Sequence, residues 1–286
     1  MRNEKWKYDF APHDIGTYPI VGQQRYGLRE GGIHLLEMQM PLEECGNMLI
    51  LMANIMLFDG NTDFVKPYLP VLEQWVKYLI EYGEDPENQL CSDDFAGHLA
   101  HNCNLSLKAI MGIAGYSLIL KSLDNAKDAD KYMSVAKNMA DSWVRRAANG
   151  DGSFRLAFDL PDTSGMKYNI IWDKLWGLEL FAPSVLYSEF CSSKKHINPY
   201  GMTFDSLHTY TKSDWLVWTA MLSTTKEEFE EFIAPLWLCY HKSLSRLPMN
   251  DFYDTVTSLA MGCRNRSVVG GIFIKLLEEK FKKIMQ

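Results

Sequence analysis

Residues 90–104, LCSDDFAGHLAHNCN, run straight into residues 105–120, LSLKAIMGIAGYSLIL. The first stretch is polar and acidic. The second carries a single charge, Lys108, and has no polar face. A helix that is apolar all round has to be buried. The stretch that follows, Ala126 to Ala148, reads differently. Tyr132, Val135, Met139 and Trp143 recur three or four residues apart among charged neighbours, the pattern of a helix that covers a core from outside. A polar loop, a buried inner helix and an amphipathic outer helix thus form one unit.

The same unit recurs in both directions. Upstream, MPLEECGN (40–47) leads into the apolar Met48 to Leu57, and an outer helix from Asp63 to Tyr82 carries a stripe at Val65, Leu69, Leu72, Trp75, Val76 and Leu79. Downstream, KYNIIWDKLWG (167–177) enters an inner segment from Trp172 to Phe181, followed by an outer segment from Pro183 to Phe190. TFDSLHTYTKSDW (203–215) enters an inner helix from Ser213 to Leu222. Thr225 to Tyr240 then reads as outer, with Glu227 and Glu228 in a first turn where they suit the helix dipole. MNDFYDT (249–255) and CRNRS (263–267) precede Ser267 to Leu277, which closes the set as an inner helix. Only SFRLAFDL, within Gly152 to Ile171, alternates like a strand.

An inner–outer pair with a period of roughly 40–60 residues predicts an all-α fold, an (α/α) toroid of helical hairpins. Residues 1–286 are read as one such domain. The count is five inner helices and about four outer ones, short of six pairs, so the ring is expected to be incomplete on its N-terminal side. An incomplete ring would leave apolar walls of inner helices available for self-association.

The bulk properties narrow the function. At 47% hydrophobic residues the chain can build a sizeable core. A net charge of -7 without any long Lys/Arg run argues against nucleic-acid binding. The longest apolar stretches are interrupted at about ten residues, too short for a membrane span. Met1 is followed by RNEKWKYDF, which holds no signal-peptide core. The six cysteines are scattered without a CxxC, and no base is arranged in sequence beside Cys45 or Cys103, which lie in motif loops. His98 and His101 lack a spaced carboxylate set, so no metal is expected. The absence of a GxGxxG or P-loop indicates no nucleotide cofactor.

Five loops entered from one end would gather acids, amides and aromatics into one cleft, the chemistry of a hydrolase or carbohydrate-binding site acting on a small molecule. Hydrolysis of an amide or glycoside needs a proton donor and a base or nucleophile. Adjacent acids in a first helical turn point about 100° apart, so one of each pair faces a given site while the other caps. Glu44 is preferred over Glu43, and Asp94 over Asp93, as catalytic candidates. Asp173, between Trp172 and Lys174, is either a surface ion pair or an acid tuned by its aromatic wall. Asp205 and His208 are spaced to form a carboxylate–imidazole pair. His13, Asp14, His101, Asn102, Asn104, Trp172, Lys174, His208, Tyr210, Lys212, Tyr253, Asp254 and Arg266 are the candidate substrate-binding residues. Arg266 would clamp a substrate carboxylate, or else hold neighbouring loops together.

FAPHDIGTYP, MPLEECGNMLI, CSDDFAGHLAHNCNLSLKAIMGIAGY, YNIIWDKLWGLELF, DSLHTYTKSDWLVWTA, FYDT and RSVVGGIFIKLL occur in the order found in the glutaminase A-type family of bacteria and fungi, which this chain resembles from about Lys7 to Leu277. The resemblance implies a six-hairpin toroid, a periplasmic or secreted setting, and hydrolysis of L-glutamine to glutamate and ammonia. It also implies that the chain corresponds to the C-terminal part of a longer architecture. A glycoside hydrolase and a non-catalytic binding remnant are the competing expectations, since fold alone does not decide among them.

Overall fold

The computed structural model describes residues 6, 8–13, 36–91, 97–262 and 264–284; Asp14, Asp93 and Asp94 lie outside the described residues. Contacts divide the chain into two compact units, Met1–Trp143 and Val144–Gln286. Nine α-helices are present among the described residues, against four strands of two or three residues each, so the fold is mostly α.

The first unit contains α1 (Pro41–Asp59), α2 (Leu69–Tyr82), α3 (Cys103–Ser122) and most of α4 (Ala126–Ala147). α1 opens on Pro41, whose fixed φ suits a first turn, with Glu43 and Glu44 beside the positive end of the dipole. It stops at Gly60, which adopts the left-handed conformation at φ 66°. α3 is capped by Asn102, whose side chain accepts from the backbone N–H of Asn104 and Leu105. Every residue from Cys103 to Leu120 is buried. α3 is also long and apolar enough to cross a bilayer, longer than the stretches read from the sequence, yet its whole apolar window lies inside the fold. It is a core helix.

α1 and α3 cross at glycines. A Cβ on Gly46 would fall 2.5 Å from Lys108 Cγ, and one on Gly112 would fall 3.1 Å from Gly46 Cα. α4 seals another side: the Trp143 indole donates to the Cys103 carbonyl at 2.8 Å, and Tyr116 meets Tyr132 edge to face. α2 is amphipathic as expected, burying Val76 and Leu79 along with Leu72, after a 3-10 turn at Lys66–Tyr68. α1 differs from the expectation of complete burial, because Leu51 remains 51% exposed. Composition says that a helix is apolar; the number of neighbours it finds decides how many of its faces are covered.

The second unit holds α5 (Ile171–Trp176), α6 (Pro183–Lys194), α7 (Ser213–Ala220), α8 (Lys226–Lys242) and α9 (Ile274–Ile284). Two antiparallel pairs accompany them: β1 (Ile197–Asn198) with β2 (Gly201–Met202), and β3 (Tyr210–Lys212) with β4 (Phe252–Asp254). α5 is shorter than the predicted inner segment, since Gly177 at φ 63° ends it. α8 is fixed by a reciprocal capping box between Thr225 and Glu228.

Two expectations are corrected here. SFRLAFDL forms no strand; the region makes isolated bridges, among them Ala148 with Phe154 and Gly165 with Asp205. The bridge stays short: the Arg155 N–H pairs back to the Ala147 carbonyl at 2.8 Å, and by Leu160 the chain has turned, its N–H donating to the Ala157 carbonyl at 3.0 Å. Ser267 to Leu277 is not an apolar inner helix. It is a 3-10 segment, Ser267–Phe273, followed by the amphipathic α9, which buries Ile274 and Phe281 and leaves Leu276 69% exposed. Gly271 explains the irregular start: it lies so close to α7 that a Cβ would approach Asp214 Cβ at 2.9 Å.

Candidate functional site

The N-terminal turns of the inner helices carry the polar chemistry in both units. In the first unit, α1 presents Glu43 and Glu44 on divergent bearings. Glu43 is buried and faces the Lys108 ammonium of α3 at 3.3 Å. Glu44 points outward, where the His13 Nδ1 lies 2.8 Å from its Oε1 and Asn47 donates to its Oε2 at 3.4 Å. Lys108 in turn donates to Asn47 Oδ1 at 2.6 Å. His13, Glu44, Asn47, Lys108 and Glu43 thereby form one continuous chain of hydrogen bonds and charge contacts. Its inner end is dry, while the His13 and Glu44 side chains at its outer end are 27% and 19% exposed. The structure brings together two of the predicted residues, and adds Asn47 and Lys108, which sequence reasoning missed. The signal for Lys108 was present, as the one charge in an otherwise apolar helix.

The remaining predicted residues of this unit have structural work. Asn102 spends its side-chain oxygen on capping α3 and its amide on Cys91 Sγ at 3.6 Å. Asn104 is buried in the same turn. His101 stands apart from these two, in the left-handed region at φ 59°, with its Nδ1 2.8 Å from Asp85 Oδ1. Burial pushes the Cys45 thiol well above its ordinary range, and Cys45 Sγ accepts from the Ala11 N–H at 3.3 Å, so it is no ready nucleophile.

In the second unit several candidates make structural contacts. Asp173 is buried, and its two oxygens accept the backbone N–H groups of Leu180 and Phe181 at 2.9 and 3.1 Å, closing the turn after α5. Lys174 points elsewhere. It donates to the carbonyls of Met221 and Ser223 at 2.6 and 2.7 Å, and burial lowers its pKa from the usual lysine range. The surface pair read from this motif does not form, because Asp173 is buried and consecutive side chains leave a helix in different directions. Trp172 packs into an aromatic core with Trp176 and Trp218. Tyr253 is buried, donates to the Tyr200 carbonyl at 2.8 Å, and is held well above the ordinary phenol range by burial. Asp254 closes its own turn by accepting from the N–H of Val256 and Thr257.

Arg266 acts as a brace. Its Nε and Nη2 lie 3.1 and 2.5 Å from Asp251 Oδ2, and Lys212 Nζ lies 2.5 Å from the same oxygen. Burial alone would raise the Asp251 carboxyl, but these two cations hold it below its ordinary value. Lys212 also faces Asp214 Oδ1 at 3.4 Å, and burial raises Asp214. The cluster ties the ends of β3 and β4 to the segment before α9.

Asp205 and His208 do form a pair, at 3.1 Å between Oδ1 and Nδ1. The imidazole stacks on Tyr210 with ring centres 4.8 Å apart. Ser206, Leu207, His208, Thr209, Tyr210 and Met261 line an open depression of about 530 Å³. Among the described residues, no three His, Cys, Asp or Glu side chains are gathered as a metal site.

Buried apolar helices that alternate with amphipathic ones define a helical-hairpin protein. The chain belongs to the glutaminase A six helical-hairpin domain family, whose profile matches residues 1–276. It is 32% identical over 288 residues to Glutaminase A of Aspergillus oryzae, an alignment covering 97% of this chain and 40% of that protein. It is 24% identical over 370 residues to a protein of Arthroderma benhamiae named Probable glutaminase, covering 98% of this chain and 42% of the relative. The chain thus spans about two fifths of the length of these curated relatives.

Proposed function

We propose that this chain carries the hydrolytic part of a glutaminase, and that Glu44 is the group that moves the proton in cleaving the side-chain amide of L-glutamine to glutamate and ammonia. One observation carries the reading: Glu44 is a carboxylate held on both oxygens, by His13 and Asn47, yet still open to solvent. Glu43 and Asp173 are buried and fully engaged. An oriented acid that water can reach is what general acid–base catalysis requires.

The step balances around that carboxylate. A water oxygen bonds to the amide carbonyl carbon while its proton passes to Glu44. The tetrahedral adduct then collapses, the C–N bond breaks, and the nitrogen takes the proton from Glu44 to leave as ammonia. His13 keeps Glu44 aimed and neutralises part of its charge. Glu44 lies in the first turn of α1, beside the positive end of the helix dipole.

The test is ammonia release from L-glutamine by the purified chain. Glu44→Gln is expected to lower kcat by roughly 100-fold or more with KM little changed. Unchanged ammonia release by that variant would remove Glu44 from the mechanism. Release of reducing sugar from glycans, with none of ammonia, would replace the glutaminase reading by the glycosidase one.

A further inference from the structure

α8 buries Phe229, Phe232, Leu236 and Cys239 on one side and turns a second stripe outward. Ala234, Trp237, Leu238 and His241 recur at the helical spacing of three and four residues, and all four are exposed. Trp237 is 68% exposed, and its indole lies against the His241 ring with centres 4.3 Å apart. His241 Nδ1 donates to the Trp237 carbonyl at 2.9 Å, which holds the two rings on the helix surface. The apolar surface continues past the helix end, where Leu244 is 84% exposed. Ser243 Oγ donates to the Ser258 carbonyl at 2.6 Å and Ser245 Oγ accepts the Ala260 N–H at 2.9 Å. These bonds lay the segment that bears exposed Leu259 alongside. A contiguous apolar patch on a protein surface marks an interaction site.

The charges on the same face point to the partner. Glu230 and Glu231 precede the stripe and Lys242 follows it, all three exposed. Acid before and base after make the face complementary to its own copy run antiparallel. We propose that the outer face of α8 docks a second copy of this chain, antiparallel across a two-fold axis. With the axis near Leu236, Glu230 lies about 9 Å along the helix on one side and Lys242 about 9 Å on the other. Glu230 therefore meets the partner's Lys242 at both ends of the contact. Ala234 makes room opposite the partner's Leu238, and the two Trp237 rings come together beside the axis. The same patch is buried on both chains, as two-fold symmetry requires. Glu230 now faces Lys226 at 3.4 Å, a solvent-exposed pair of little strength, so exchanging it for Lys242 of a second copy costs little. The exposed face of α9 lacks this complementarity, because Lys275 and Lys282 meet Glu278 and Glu279 of their own helix. Self-association, expected from the sequence through inner helices, is thereby assigned to an outer one.

The experiment measures the mass of the chain in solution by sedimentation equilibrium across a range of concentrations. A mass twice that of one chain is expected at the upper end. Trp237→Ala should weaken association at least tenfold, as loss of a central aromatic anchor does. Glu230→Lys and Lys242→Glu each set like charges opposite one another at both ends of the contact, and each should weaken it several-fold. The two changes in one chain restore opposite charges at the same positions, and the dimer should return. The altered side chains are exposed, and an unchanged circular dichroism spectrum checks that the fold survives. Recovery in the doubly exchanged chain is specific to the antiparallel register, since a dimer held through any other face would not respond. A chain that stays monomeric at every concentration overturns the docking surface. So does a dimer indifferent to Trp237→Ala, or a doubly exchanged chain that fails to recover. Ammonia release plays no part in the measurement, so either result leaves the glutaminase reading where it stood.

Discussion

Glu189 shows how a single residue can set the pH response of its unit. It is buried on α6, and desolvation raises its carboxyl to about 7, with the Lys167 charge opposing. The folded state then holds a proton that the unfolded chain, near the ordinary value of 4.5, has released. Stability contributed by this group is therefore intact below about 4.5 and falls as pH rises towards 7. The full loss is on the order of 3 kcal/mol. Urea unfolding of Glu189→Gln at pH 5 and pH 8 is expected to show a smaller decline than the parent chain by about that amount. An identical decline would mean that Glu189 is ionised at no cost. Lys108 tests the opposite case. Replacing it with Met removes the ammonium that faces buried Glu43 and loosens Asn47, so a loss of about 3–5 kcal/mol is expected, together with a fall in ammonia release. The sequence made Glu44 and His13 visible as motif residues, and even marked Lys108 as odd. It could not pair them, because Lys108 meets Asn47 across 61 positions of chain.

At the level of elements, local patterning located most helices, and their ends followed from capping chemistry. Asn102 was read as a candidate substrate-binding residue of its polar loop, and its side-chain oxygen caps α3. Asn102→Ala should cost about 1 kcal/mol in thermal or urea unfolding. A ligand role without a capping role would leave stability untouched. The α1–α3 crossing makes a second prediction. Gly46 admits the Lys108 side chain at a distance no Cβ permits, so Gly46→Ala should destabilise by about 1–3 kcal/mol, although alanine favours a helix in isolation. The element misread from sequence, Ser267 to Leu277, failed for a related reason. Its apolar residues and paired glycines look like a close-packed inner helix, but the chain follows a 3-10 path before α9 begins, with Gly271 closely against α7.

For the molecule as a whole, burial divides unevenly, and the dynamics should follow it. Amides in the middle of α3, where every side chain is buried, should exchange with solvent only through global unfolding. Those of α9, which exposes Leu276 and buries little besides Ile274 and Phe281, should exchange through local opening many times faster. Equal protection of the two by mass spectrometry would contradict this ranking. What the sequence determined by itself was whatever depends on neighbours along the chain: a mostly helical fold, the alternation of apolar and amphipathic helices, the acids at helix starts, and the spacing that lets Asp205 reach His208. What only the tertiary structure decided was the destination of each polar side chain. Asp173 and Asp254 close turns, Arg266 and Lys212 converge on Asp251, and Glu44 alone of its pair stays in reach of water. The physical reason is that a buried charge must find its partner wherever packing has put one, and packing brings together residues that no local pattern connects.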